Sequence, residues 1–242
     1  MQDTNANNAP TLLIHYEDSA LLVVEKPAGL VTHPAYRHPD GTLWDLLAAY
    51  FRTQGLPERP HLLHRLDRPT SGLLCVPKTP AAHRFLERAL QAGQFEKEYL
   101  ALAHGQTARQ GRIDLPLGRD PADHRRVQVR PDGQPACTNY RVLRCLPGCT
   151  LLRLRLETGR THQIRVHLAA MGMPIVGDMV YSSGSDLAPR LFLHADKLAF
   201  PHPSGTGILR CRSALPLELR QTLRQLAEIS HMAHRSTVTT IP

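Results

Sequence analysis

The sequence predicts one globular domain that mixes strands with helices. Three observations carry this expectation. A chain of 242 residues with 42% hydrophobic side chains is large enough for a substantial core. Apolar runs of strand length, such as Leu21 to Val24 and Leu73 to Val76, are bounded by turn residues. Three longer segments repeat their apolar residues at helical spacing. No internal repeat is evident.

The elements follow in order. Leu12-Leu13-Ile14 and Leu21 to Val24 read as two short strands joined by a turn at Asp18-Ser19, and Glu25-Lys26-Pro27-Ala28-Gly29 breaks the second. Thr42 caps a helix carrying Leu43, Trp44, Leu46, Leu47 and Tyr50, which ends within Gly55 to Pro60. Leu73 to Val76 is a buried strand entered through a polar turn, so Asp67 sits on a loop. Thr79 to Gln91 is helical with Phe85, Leu86 and Leu90 on one side, and Glu98 to Leu102 is a strand. Thr107 to Pro135, rich in Arg, Asp, Gly and Pro, reads as a long hairpin or loop. Tyr140 to Val142 and Leu151 to Leu156 are strands, the latter alternating Leu with Arg153 and Arg155. A last helix starts at Thr161 as its cap, buries Ile164, Leu168 and Met171, and stops at Gly172 and Pro174. The expected organisation is a disordered tail over residues 1–10, one structured unit over 11–228, and a flexible tail over 229–242.

Composition narrows the function. No apolar run approaches the roughly 20 residues of a membrane span, and Met1 to Pro10 lacks the features of a signal peptide, so a cytoplasmic protein away from membranes is expected. Five cysteines without a CxxC pair argue against a disulfide framework and a zinc ribbon. The net charge of +8 comes from four lysines and twenty-five arginines. Between Arg109 and Arg165 twelve arginines face five acidic residues. Such a stretch suits a polyanion, and a solvated face or a GC-rich genome would give the same skew.

The motifs choose between these. His64-Arg65-Leu66-Asp67-Arg68-Pro69-Thr70-Ser71-Gly72 closely resembles the catalytic signature of the RluA-type pseudouridine synthase family. Supporting stretches are Glu25 to Gly29 with His33-Pro34, Lys97-Glu98-Tyr99, the run Gly159 to His167, and Leu191-Phe192-Leu193-His194-Ala195. The similarity runs in the family's order from about residue 11 to about residue 215. It implies an α+β fold, with a largely antiparallel mixed sheet, flanking helices and a central RNA-binding cleft. It also implies a cofactor-free isomerase without a metal site, acting on ribosomal or transfer RNA. The short N-terminal stretch leaves no room for the RNA-binding module that many relatives carry, and no obligatory protein partner is evident, so a monomer is expected.

The resemblance also assigns residues. Asp67 matches the catalytic carboxylate; by itself an Asp before Pro-Thr-Ser would be read as a turn residue. Arg165 matches its cationic partner, with Arg160 the near alternative and a further substrate contact. Tyr99 matches the aromatic that stacks on the target base, and Leu193 an apolar residue on the other side. Arg65 matches the side chain that fills the gap left by a flipped nucleotide. Arg125 and Arg126 belong to a basic loop, Arg119 to Pro135, that would touch RNA. His162 and His167, with Glu157 nearby, lie at the wrong helical spacing for a zinc pair and are expected to be structural or RNA-facing. Two rival functions are a catalytically silent RNA-binding protein on the same fold and an aspartate-nucleophile phosphatase. The second lacks the DxD element that its chemistry needs.

Overall fold

In the computed structural model, residues 11–35, 38–123, 126–182 and 187–237 are described, with side chains described through Ile229. The expected tail over residues 1–10 and Arg125 fall outside these residues.

Apolar runs form strands where both faces can be covered. Strands β1 (Leu13–Glu17) and β2 (Leu21–Lys26) make an antiparallel pair, and β3 (Ser71–Pro77) joins β2 along its whole length. Every residue of β3 is buried. Strands β4 (Glu96–His104), β5 (Gln110–Asp114), β8 (Cys137–Leu146) and β9 (Cys149–Leu156) form the other half. Strand β10 (Leu193–Pro201) runs between the halves, giving the order β1-β2-β3-β10-β4-β9-β8-β5, and β11 (Ile208–Arg212) pairs with the far end of β10. All pairings are antiparallel except β3 with β10, so the sheet is mixed and largely antiparallel. The segment read as a long hairpin or loop contains β5 and a separate two-stranded hairpin, β6 (Leu117–Arg119) with β7 (Val127–Val129).

Among the described residues four helices cover the sheet: α1 (Leu43–Thr53), α2 (Pro80–Gln91), α3 (Gln163–Ala170) and α4 (Leu217–Thr237). Thr42 and Asp45 close a capping box on α1, as local sequence anticipates. One core joins α1, α3 and α4 to Leu22, Val24, Leu152 and Leu154; the opposite face packs α2 and the stacked rings of Phe95 and Phe200 against Leu21, Val23 and Leu73. In β9 the alternation does what it predicts, since Leu152 and Leu154 are fully buried while Arg155 faces solvent.

Several expectations are corrected. In α2 the buried stripe is Ala82, Leu86 and Ala89, and Phe85 is 39% exposed, because these three share the i, i+4, i+7 face turned to the sheet. Helix α3 starts after His162 rather than Thr161. Gln163 accepts hydrogen bonds from the Thr158 hydroxyl and the Arg160 amide, holding the turn that precedes the helix. Met171 lies past the last turn and is exposed. Helix α4 is described to Thr237.

The parallel contact of β3 with β10 places His194 beside Ser71 and Ala195 beside Gly72. Gly72 has φ +123°, and a Cβ there would lie 2.6 Å from the Ala195 nitrogen and overlap its carbonyl. Only glycine fits such an approach. Gly72→Ala is therefore expected to destabilise the fold by on the order of 3 kcal/mol, combining backbone strain with overpacking. Urea unfolding measures it; a loss below about 1 kcal/mol would mean that the two strands can separate freely.

Candidate active site

A cleft of about 730 Å³ opens between the 62–70 loop, β4, β10 and the start of α3. The segment after β2 clamps its loop. Lys26 is fully buried, and its ammonium donates to the carbonyls of Pro27, Leu30 and Arg68. Gly29 N–H also donates to Arg68 O, and the Arg68 guanidinium returns a bond to Gly29 O. Thr32 Oγ1 donates to Leu66 O at 2.7 Å and accepts from Leu66 N–H. From the other side His64 Nε2 accepts the Cys75 amide. Burial, aided by the Lys97 ammonium, pushes the His64 pKa down to about 3, so its ring is neutral and free to accept.

Asp67 hangs from this braced loop with a side chain 14% exposed. Arg165 Nη1 lies 3.4 Å from Asp67 Oδ2. The same guanidinium turns its Nε and Nη2 to the two oxygens of Asp178, both at 2.8 Å. Asp178 also accepts the amides of Val180 and Tyr181. Burial alone would raise the Asp178 pKa, but Arg165 and these amides outweigh it and hold the pKa below the usual carboxylate range. The bidentate grip is thus spent on Asp178. Asp67 receives one long contact, which offsets its charge and leaves its lone pairs open to the cleft.

Tyr99 and Leu193, on neighbouring strands, line the same space and are almost fully buried. Burial, reinforced by the Asp67 charge, raises the Tyr99 pKa, so its hydroxyl keeps its proton at neutral pH. Lys97, two residues before Tyr99 on the same strand, also lines the cleft, and burial lowers its pKa. Arg65 is exposed at the mouth, and Arg160 stands on the rim with its Nε bonded to Pro135 O. Of the two arginines considered as a partner for Asp67, Arg165 is the one within reach.

His162 and His167 do not converge. His162 faces the cleft 3.9 Å from Asp67, whereas His167 is buried against the Thr138 hydroxyl and Leu115 O, and Glu157 pairs with Arg112. Among the described residues no group of three His, Cys, Asp or Glu side chains could hold a metal ion. Asp178, Tyr181, Lys26 and Thr32 escaped sequence reasoning. Gly177-Asp178, a polar turn after the apolar run Ile175-Val176, was the one available signal for Asp178.

Residues 20–170 match the family model described as RNA pseudouridylate synthase. The chain belongs to that family. Among pseudouridine synthases it is 47% identical over 208 residues to an uncharacterized RNA pseudouridine synthase of Chloroflexus aurantiacus, covering 84% of this chain and 66% of that relative. It is 41% identical over 229 residues to ribosomal large subunit pseudouridine synthase D of Nitrosomonas europaea, covering 91% and 67%. The chain thus spans about two thirds of the length of these relatives. The solved structure of human RNA pseudouridylate synthase domain containing 4 superposes with a TM-score of 0.73 at 26% identity, covering 89% of this chain and 93% of that one. The pseudouridine synthase fold and the RluA-type resemblance read from the His64 to Gly72 stretch agree with these comparisons.

In this synthase the Asp178 charge should matter most at neutral pH. Its contribution to stability is fully present above the ordinary carboxyl pKa near 3.8 and is lost as pH falls through the lowered folded value. Asp178→Asn, which strips the buried Arg165 of its principal partner, is expected to cost about 3 kcal/mol at pH 7. The gap to the parent should narrow in acid. Denaturant unfolding from pH 7 to pH 3 reads it, and a gap independent of pH would remove the ion pair from the account.

Proposed function

We propose that this chain is an RNA pseudouridine synthase that isomerises uridine in structured RNA, with large-subunit ribosomal RNA as the substrate class. The observation that supports this most directly is the Asp67 carboxylate, within reach of an Arg165 N–H and left open to a cleft lined by Tyr99 and Leu193. The relatives named for the ribosomal large subunit support the substrate class.

The reaction breaks the bond from ribose C1′ to N1 of uracil, turns the base, and joins C1′ to C5. The proton lost from C5 is balanced by the one gained at N1, so nothing is oxidised or consumed. The uracil must first leave its stack, at a cost of a few kcal/mol. Arg65, exposed at the mouth, is placed to occupy the gap. Tyr99 and Leu193 would flank the flipped base, and Asp67 would meet the ribose and uracil atoms that exchange bonds. Arg160 and the arginines of the β6–β7 hairpin would hold phosphates, reading shape more than sequence. No helix among the described residues is long and apolar enough to cross a membrane. A cytoplasmic monomer that needs no cofactor accords with this chemistry.

Asp67→Asn keeps the side-chain shape and removes its charge. Turnover should disappear while RNA affinity moves by no more than about 1 kcal/mol. Pseudouridine mapping on ribosomal RNA from cells lacking the gene, beside filter binding and a melting curve, tests this. A folded variant that still converts uridine would overturn the role of Asp67, and a parent protein that binds without converting would favour the silent binding protein.

Binding should also weaken steeply with salt, each phosphate contact adding roughly 0.7 to 0.9 to the slope of log affinity against log salt. A flat response would take the arginine-rich surface out of RNA recognition.

A further inference from the structure

His162 is the only residue other than glycine with positive φ among the described residues, at φ 56°. That backbone costs a histidine on the order of 1 kcal/mol, and it persists only where surroundings impose it. The surroundings here centre on Tyr181. Its hydroxyl accepts the Val127 amide at 3.0 Å and lies 2.7 Å from His162 Nδ1. One hydroxyl has one proton. The amide occupies one of the oxygen's two lone pairs; when the phenol donates its proton to Nδ1 across the 2.7 Å contact, the proton of a neutral imidazole sits on Nε2. Nε2 is the nitrogen that faces Asp67 Oδ2, at 3.9 Å.

Burial favours the neutral ring. Burial lowers the His162 pKa; Asp67 and Asp178 oppose this, while Arg165 and Arg65 add to it. In that tautomer the imidazole is a neutral N–H donor aimed at the carboxylate, about 1 Å beyond hydrogen-bond distance. Tyr181 is itself held by several groups. Its amide bonds Asp178 Oδ1, its ring lies edge-on to the imidazole, and the guanidinium carbons of Arg165 and Arg126 stand 5.0 and 5.5 Å from its centroid. Val127 and Arg126 belong to the β6–β7 hairpin region, so one side chain joins that basic hairpin to the surroundings of Asp67.

We propose that His162, with its tautomer set by Tyr181, is a positioning residue for Asp67, donating its Nε2–H to the carboxylate when RNA seats against the hairpin. The donor then closes a short gap and orients the Asp67 oxygens without bringing a second positive charge beside Arg165. This role rests on Asp67 being the catalytic carboxylate.

The test uses the full chain with Tyr181→Phe, which keeps the ring and removes the hydroxyl, His162→Asn, which tolerates left-handed backbone, and the double variant. Single-turnover conversion on ribosomal RNA from cells lacking the gene should fall about tenfold in each single variant and no further in the double, with RNA affinity within twofold of the parent. Losses that multiply in the double variant, or that appear only in affinity, would overturn the proposal. Imidazole nitrogen NMR supplies a reading independent of activity. The parent His162 should be the neutral Nε2–H tautomer at pH 7, and Tyr181→Phe should shift it toward a tautomer mixture. A charged ring or an Nδ1–H tautomer in the parent would refute the proposal even in an active enzyme. A parent that shows the Nε2–H tautomer but never forms pseudouridine would instead refute the catalytic role of Asp67, and the positioning role with it.

Discussion

Arg165 is one guanidinium shared by two carboxylates of different standing, and the centre of the molecule is arranged around that inequality. Asp178 takes the two-pronged bond, is sealed from solvent, and accepts two backbone amides as well. Asp67 takes one Nη1–H at 3.4 Å. A buried arginine with a single open carboxylate would grip it tightly and hold it still. Giving the strong pairing to a residue outside the chemistry keeps Arg165 oriented and charged while its other partner stays reactive. The helix that carries Arg165 is fastened accordingly, by Gln163 to Cys137 O and the Thr138 hydroxyl and by His167 to Thr138 and Leu115.

The opposite wall is braced by different means. Lys26 distributes three N–H donors over three carbonyls, one of them on the residue that follows Asp67. Burial draws its pKa down to about 7, and the Asp67 charge resists the fall. A fully buried lysine without a carboxylate bonded to it costs stability unless carbonyl dipoles replace its water, and these do. The 26–32 segment thus braces the catalytic loop chiefly through donors aimed at the carbonyls of Leu66 and Arg68.

What could be read in advance was whatever local sequence determines. The capping box of Thr42, the alternation of β9 and the loop position of Asp67 each depend on residues a few positions apart. The motifs also indicated which side chains share the cleft. They did not reveal how those side chains are wired. Asp178 lies 13 residues from Arg165, across a helix end and a turn, and its pairing exists only in the folded chain. Lys26 looks like a surface residue until its three carbonyls are seen. The left-handed backbone of His162 is invisible in a run that reads as an ordinary helix start, because it accompanies a contact with Tyr181, 19 residues away.

The parallel seam between β3 and β10 also has a kinetic side. Ser71 and His194, hydrogen-bonded across it, are 123 residues apart in sequence. At translation rates of roughly 5 to 20 residues per second, β3 emerges from the ribosome about 6 to 25 s before the strand that covers its inner edge. During that interval an entirely apolar-flanked strand, already paired with β2 on one side, presents unsatisfied amides and carbonyls on the other. Gly72, the one position where β10 must come closest, lies in that open edge. Until β10 is made, the amides and carbonyls that it will meet at Ser71 and Gly72 depend on water or on other chains for partners.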